Sequence, residues 1–215
     1  RFEWDEGRVN FERAIELNPS YAEAHMFYAH FLGIVGELEK STEHMKIAVQ
    51  LDPLNPFVRG ISSAQIIMTS DYHRAIEEAE YALELAPGNA FSYIVLSQAH
   101  HELGDMDEAA TAYANVLRYV DGDADSADLF LATYADHGYE AAMLRLADVL
   151  VERAEERFVP AVNIAHFYYG GGDYEKAIDW CEIAYERSDP NAPYFGVNIK
   201  NPNMRNHPRF QALLR

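Results

Sequence analysis

His100, His101 and Glu102 stand in a row, and side chains of these types bind metals or move protons. Neighbouring residues on a helix point about 100° apart, so two adjacent imidazoles cannot reach one ion from the same helix. The row also lacks the separation of a His-Glu-x-x-His zinc helix. It reads as surface or groove histidines. Asp121-Gly122-Asp123-Ala124-Asp125 supplies the first three acids of a calcium loop. Ser126 then stands where such a loop needs glycine, and Ala132 where it needs a bidentate glutamate. The run reads as a turn between helices. Cys181 lies beside Trp180 and Ala184 with no nucleophile motif around it, and reads as a small buried hydrophobe. Gly170-Gly171-Gly172 lacks the strand and helix that flank a phosphate loop. The carboxylates spread over helix faces without singling out a pair. No enzyme, cofactor or metal site is expected.

The chain has 215 residues, of which 49% are apolar and 24% charged, as in a folded protein rather than a disordered one. Seventeen basic residues face 35 acidic ones, for a net charge of −18. That excess disfavours nucleic acid and anionic membrane as partners, since both demand local positive charge. A single cysteine excludes an internal disulfide framework. No apolar run approaches the roughly 18 residues of a membrane span, and no secretory segment is visible. The expected location is cytoplasmic. The chain opens on Arg1 rather than Met and is expected to be a piece of a longer protein.

A repeat organises the helices. Leu17-Asn18-Pro19, Leu51-Asp52-Pro53 and Leu85-Ala86-Pro87 recur at intervals of 34, and the next step falls on Asp121. Gly36, Gly104, Gly138 and Gly172 keep the same register as turn residues. Ser41, Ala75, Ala109 and Ala177 form one series of small residues, and Ala14, Ala48, Ala82 and Ala184 a second. Small side chains there let two helices approach closely. Apolar residues keep helical spacing between the turns, as with Phe91, Ile94, Val95, Ala99 and Leu103. The array therefore spans 1–189: a lone second helix over 1–19, then helix pairs at about 22–53, 56–87, 90–121, 124–156 and 158–189. The fifth unit departs from the pattern, with a shortened turn at Gly138-Tyr139 and no closing proline.

A helix–turn–helix period of 34 resembles the tetratricopeptide repeat (TPR). The resemblance implies an all-α solenoid, a right-handed superhelix of antiparallel helix pairs with about five and a half repeats and a C-terminal cap. The opening Phe2-Glu3-Trp4-Asp5, Leu51-Asp52-Pro53-Leu54 and the closing Asn206-His207-Pro208-Arg209-Phe210 resemble motifs of certain bacterial TPR arrays. Those arrays form the C-terminal part of larger signalling proteins, behind winged-helix, adenylate-cyclase-type or kinase domains. An acidic residue usually stands where this chain has His207. The function implied is a protein-interaction or regulatory scaffold module. The alternatives are small-ligand sensing in the groove or part of an enzyme.

In TPR proteins the first helix of each repeat lines a concave groove. The resemblance carries groove positions onto Met26, His30 and Ile34, then Phe57, Gly60, Ala64, Ile67 and Met68, then Phe91, Ile94, Gln98, His101 and Glu102. Later repeats contribute Asp125, Asp128, Ala132 and Asp136, then Val162, His166 and Tyr169. Packing between helices is the alternative for any one of these. Chaperone-tail binders of this family clamp a carboxylate with Lys, Arg and Asn, and none of these positions holds one. The expected partner is a peptide or helix with apolar anchors and basic flanks.

The two ends carry separate expectations. Residues 190–215 hold four basic residues and no acid, against −22 for the rest of the chain. They are expected to form a cap with one short helix at about 208–214. At the other end Phe2, Trp4, Phe11 and Ile15 are expected to be exposed, so that the chain either self-associates through that end or depends on upstream residues for solubility.

Overall fold

The computed structural model describes residues 4–214. Its elements are α1 (Trp4–Leu17), α2 (Ala22–Ile34), α3 (Leu38–Leu51), α4 (Pro56–Met68), α5 (Tyr72–Leu85), α6 (Ala90–Leu103) and α7 (Met106–Asn115). Then follow α8 (Ala124–His137), α9 (Tyr139–Glu156), α10 (Ala161–Gly170), α11 (Tyr174–Glu186), α12 (Phe195–Asn198), α13 (Pro202–Arg205) and α14 (Pro208–Leu213). Val116–Val120 continue α7 as a π-helical turn, and Ala192–Tyr194 form a 3-10 turn. No strand occurs among the described residues. The described residues are all-α, built from antiparallel helix pairs.

Polar residues start the helices by accepting otherwise orphaned backbone N–H groups. Asn55 accepts from Phe57 N at 3.0 Å with Pro56 in the first helical turn, and one period later Asn89 accepts from Ser92 N at 3.1 Å. Asn89 also donates to the Pro56 carbonyl at 2.6 Å, which ties the start of α6 to that of α4. Gly60 makes room for it, since a Cβ there would lie 2.5 Å from Asn89 Oδ1. The turn inside each pair is left-handed, at Gly36 (φ 86°), Gly104 (φ 87°), Gly138 (φ 85°) and Gly172 (φ 78°). Ser70, with φ 64°, fills the missing place in that series, a conformation non-glycine residues rarely adopt.

The chain divides into two compact units, one ending at Gly122 and one beginning at Asp123. In the first, α1 packs on α2, and α2/α3, α4/α5 and α6/α7 are pairs. The first helices α2, α4 and α6 also touch in succession and form one layer. Ala48, Ala75, Ala82 and Ala109 are fully buried where the pairs close. Ser41, in the same series, is fully buried and donates its hydroxyl to the Ala29 carbonyl at 2.6 Å. Phe11 and Ile15 of α1 pack on Tyr28, Phe31 and Leu32. These two residues therefore rest on α2 instead of forming an open end, while Trp4, Val9 and Leu17 are the exposed large apolar residues of α1. Trp4 is 38% exposed beside Phe31, and Phe2 lies outside the described residues.

In the second unit α8 packs on α9, α9 on α10 and α10 on α11. Met143 takes the place where the series Ser41, Ala75, Ala109 and Ala177 has small residues, and it is buried. Glycines compensate: a Cβ on Gly170 would collide with Met143, and one on Gly171 with Leu144. This is what the glycine run does. The segment after α11 differs from the single short helix expected. Pro193, Pro202 and Pro208 each open a new helical turn, because proline suits a helix start and breaks its interior. Phe210 and Met204 are fully buried, and α13 and α14 lie on α11.

Candidate peptide-binding face

On the α2–α4–α6 layer three phenylalanines form a ladder. Phe27 meets Phe57 edge-on with ring centroids 6.0 Å apart, and Phe57 meets Phe91 at 5.9 Å. Phe27 is 44% exposed and Phe57 38%, whereas Phe91 is half-buried against the core cluster of Met26, Ala29, Val58 and Ile61. Burying rings of this size is the largest energetic contribution a surface can make to a partner. The capping residues Asn55 and Asn89 fix the starts of α4 and α6, and so fix where Phe57 and Phe91 stand.

The groove positions divide. Met26 is fully buried and belongs to the core, and Gly60 is buried beneath Asn89. Ile34, Ile67, Met68, Ile94, Gln98 and His101 are half-buried, with Met68 lying over Gly33 and Ile67 packed on the core. His30 is half-buried, and burial holds its imidazole below the ordinary value and so neutral. In the second unit Asp125, Asp128 and Asp136 are exposed on α8. Tyr169 is taken up by the tail, its hydroxyl accepting from the backbone N–H groups of Lys200 at 3.3 Å and Asn201 at 3.1 Å. Phe27 was not legible: the period of 34 carries Phe91 onto Phe57 but Phe57 onto Glu23. Only the packing offset between α2 and α4 brings Phe27 to the ladder.

Residues 69–127 match the tetratricopeptide-repeat family model. Over these residues the chain belongs to the tetratricopeptide-repeat family. It is similar to an Hsp70-Hsp90 organizing protein of Triticum aestivum, with 36% identity over 82 residues, which are 38% of this chain and 14% of that protein. A solved structure of Naa15/Naa10 bound to HypK-THB aligns with 99% of this chain and 34% of its own, at 16% identity and a TM-score of 0.49.

The residues whose types suggest chemistry have structural places in the chain. Asp123 caps α8, accepting from Ser126 N at 2.9 Å and Ser126 Oγ at 2.6 Å, and pairs with Arg153. Cys181 is fully buried, and burial pushes its thiol up to about 12. His100 approaches Asp105 at 3.4 Å and lines a cavity of about 300 Å³ between α5, α6 and α7 with Tyr93 and Leu96. Among the described residues no group of three His, Cys, Asp or Glu is placed to hold a metal ion, and no helix is long and apolar enough to cross a membrane.

Proposed function

We propose that this TPR protein is an interaction module whose α2–α4–α6 face takes a segment of a partner protein. The observation that carries this reading is the ladder Phe27–Phe57–Phe91, three linked rings left partly open on one layer of helices. The occupant is a peptide or helix with apolar anchors, flanked by Lys or Arg. Its basic flanks suit a chain with 35 acidic and 17 basic residues. A carboxylate clamp of the chaperone-tail kind has no support on this face: Arg59 is paired with Glu78 at 3.0 Å, and Asn55 and Asn89 are engaged in capping. We further infer, from the motifs at the two ends, a place in a larger bacterial signalling protein of the cytoplasm.

Selection of displayed peptides against the chain tests the face. Binders should be enriched in aromatic and aliphatic anchors next to Lys or Arg. Phe57→Ala should weaken them by about 2 kcal/mol, roughly thirtyfold. Binders that lose nothing with Phe27→Ala, Phe57→Ala and Phe91→Ala, or that footprint on α3, α5 and α7, would overturn the assignment.

A further inference from the structure

His25 lies in the first turn of α2 and is buried, with both ring nitrogens engaged. Its Nε2 is 3.1 Å from the Pro19 carbonyl oxygen, and its Nδ1 is 2.9 Å from Nδ1 of His44 on α3. A carbonyl only accepts, so the hydrogen in the first contact belongs to His25 Nε2. In the neutral pair His25 Nδ1 is then bare and accepts, and His44 carries its hydrogen on Nδ1. The remaining basic site is His44 Nε2, so a first added proton goes there and leaves the contact intact. A second proton has only His25 Nδ1 to occupy, where two N–H groups would face each other.

The surroundings are mixed. Burial, the larger cause, and His25 hold His44 below its ordinary value, while Glu43 of α3 and Glu12 of α1 pull the other way. Tyr28 of α2 stands edge-on to His44 at 4.8 Å and donates its hydroxyl to Glu12 at 2.8 Å. The pair thus links the α1–α2 turn, α2, α3 and, through Tyr28, α1. No residue of α1 is fully buried, which makes α1 the readiest element of the unit to open.

We propose that His25 and His44 form an acid-operated latch, which ties the α1–α2 turn to α3 while it holds at most one added proton and lets go when it takes a second. The open form binds more protons than the closed one, so its population rises as pH falls, about tenfold per pH unit for each net proton taken up. Opening uncovers the aromatic cluster of Phe11, Tyr28 and Phe31.

Two measurements on the whole chain test the latch. Side-chain nitrogen NMR at neutral pH should find His25 protonated on Nε2 and His44 on Nδ1. Both rings carrying their hydrogen on Nε2 would overturn the proposal, and this readout needs no variant. Amide exchange, corrected for its intrinsic pH dependence, should show residues 20–25 and α1 losing protection between about pH 7.5 and pH 5, the range in which histidine charges. In His44→Gln the side-chain amide can donate to His25 Nδ1 or, turned over, accept from it once it is protonated, so the contact survives in either state and most of that loss should disappear. His30→Gln, the control, should retain it. Parallel loss of protection in wild type and His44→Gln would overturn the latch. Glu37 is not the cause in this range, since Lys40 and Arg8 hold its carboxyl below the usual range and it stays charged.

Discussion

Phe210→Ala will lower the unfolding free energy of the second unit by about 3–5 kcal/mol, the range for truncating a buried phenylalanine. Phe210 is fully buried although it sits on a six-residue helix, and a helix that short has no stability of its own. The fold of residues 190–214 is therefore maintained by what it covers on α11. Arg209 adds contacts at 2.6 Å to both Asp179 and Glu182, but its side chain is 40% exposed. Such pairs contribute about 0–1 kcal/mol each, so Arg209→Met should cost far less than Phe210→Ala. Urea unfolding followed at Trp180 on α11 reports on this unit. A loss below about 1 kcal/mol for Phe210→Ala would mean that the segment is not packed as described.

Met26→Ala will cost the first unit about 2–5 kcal/mol, while its neighbour Phe27→Ala will leave stability nearly unchanged. One step along α2 turns the side chain by about 100°, enough to move from core to surface. Met26 is fully buried against Ala29, Met45 and Val58, so its removal leaves a cavity among atoms that cannot all close in. Phe27 is 44% exposed and meets Phe57 edge-on. Unfolding followed by amide exchange in α2 and α4 checks the pair of variants. Equal losses would place both rows of α2 in the core and remove Phe27 from the candidate face.

The periodic parts of this molecule were readable because one physical requirement recurs every 34 residues: a helix start, a tight turn and a small residue where helices meet. Pro53, Gly104 and Ala82 each announce one of these. Ser70 was hidden because its type gives no sign of a left-handed conformation, although its register did. Met143 breaks the small-residue series, and the glycine that accommodates it, Gly170, lies 27 residues further on, so neither half explained the other in sequence. The same holds for His25 and His44, 19 residues apart and joined only when α2 folds onto α3. Met26 and Gly60 hold the same place one period apart and both are buried, so at that register position the first helix faces the core rather than the groove. In the tail, prolines announced an irregular segment but not that three of them would each open a helical turn.

The cap ties between Asn55, Asn89 and Pro56 bear on how such a chain can change length in descent. A 34-residue block duplicated in frame ahead of Asn89 would bring its own helix pair and its own capping asparagine, and would meet neighbours of the kinds it already contacts. A block added after Ser188 would meet Phe210 and Arg209 already seated on α11, and would have to displace them. Copy number is thus free to vary inside the array and fixed at its C-terminal edge, so relatives with more or fewer repeats should differ upstream of α11 and share the segment that follows it.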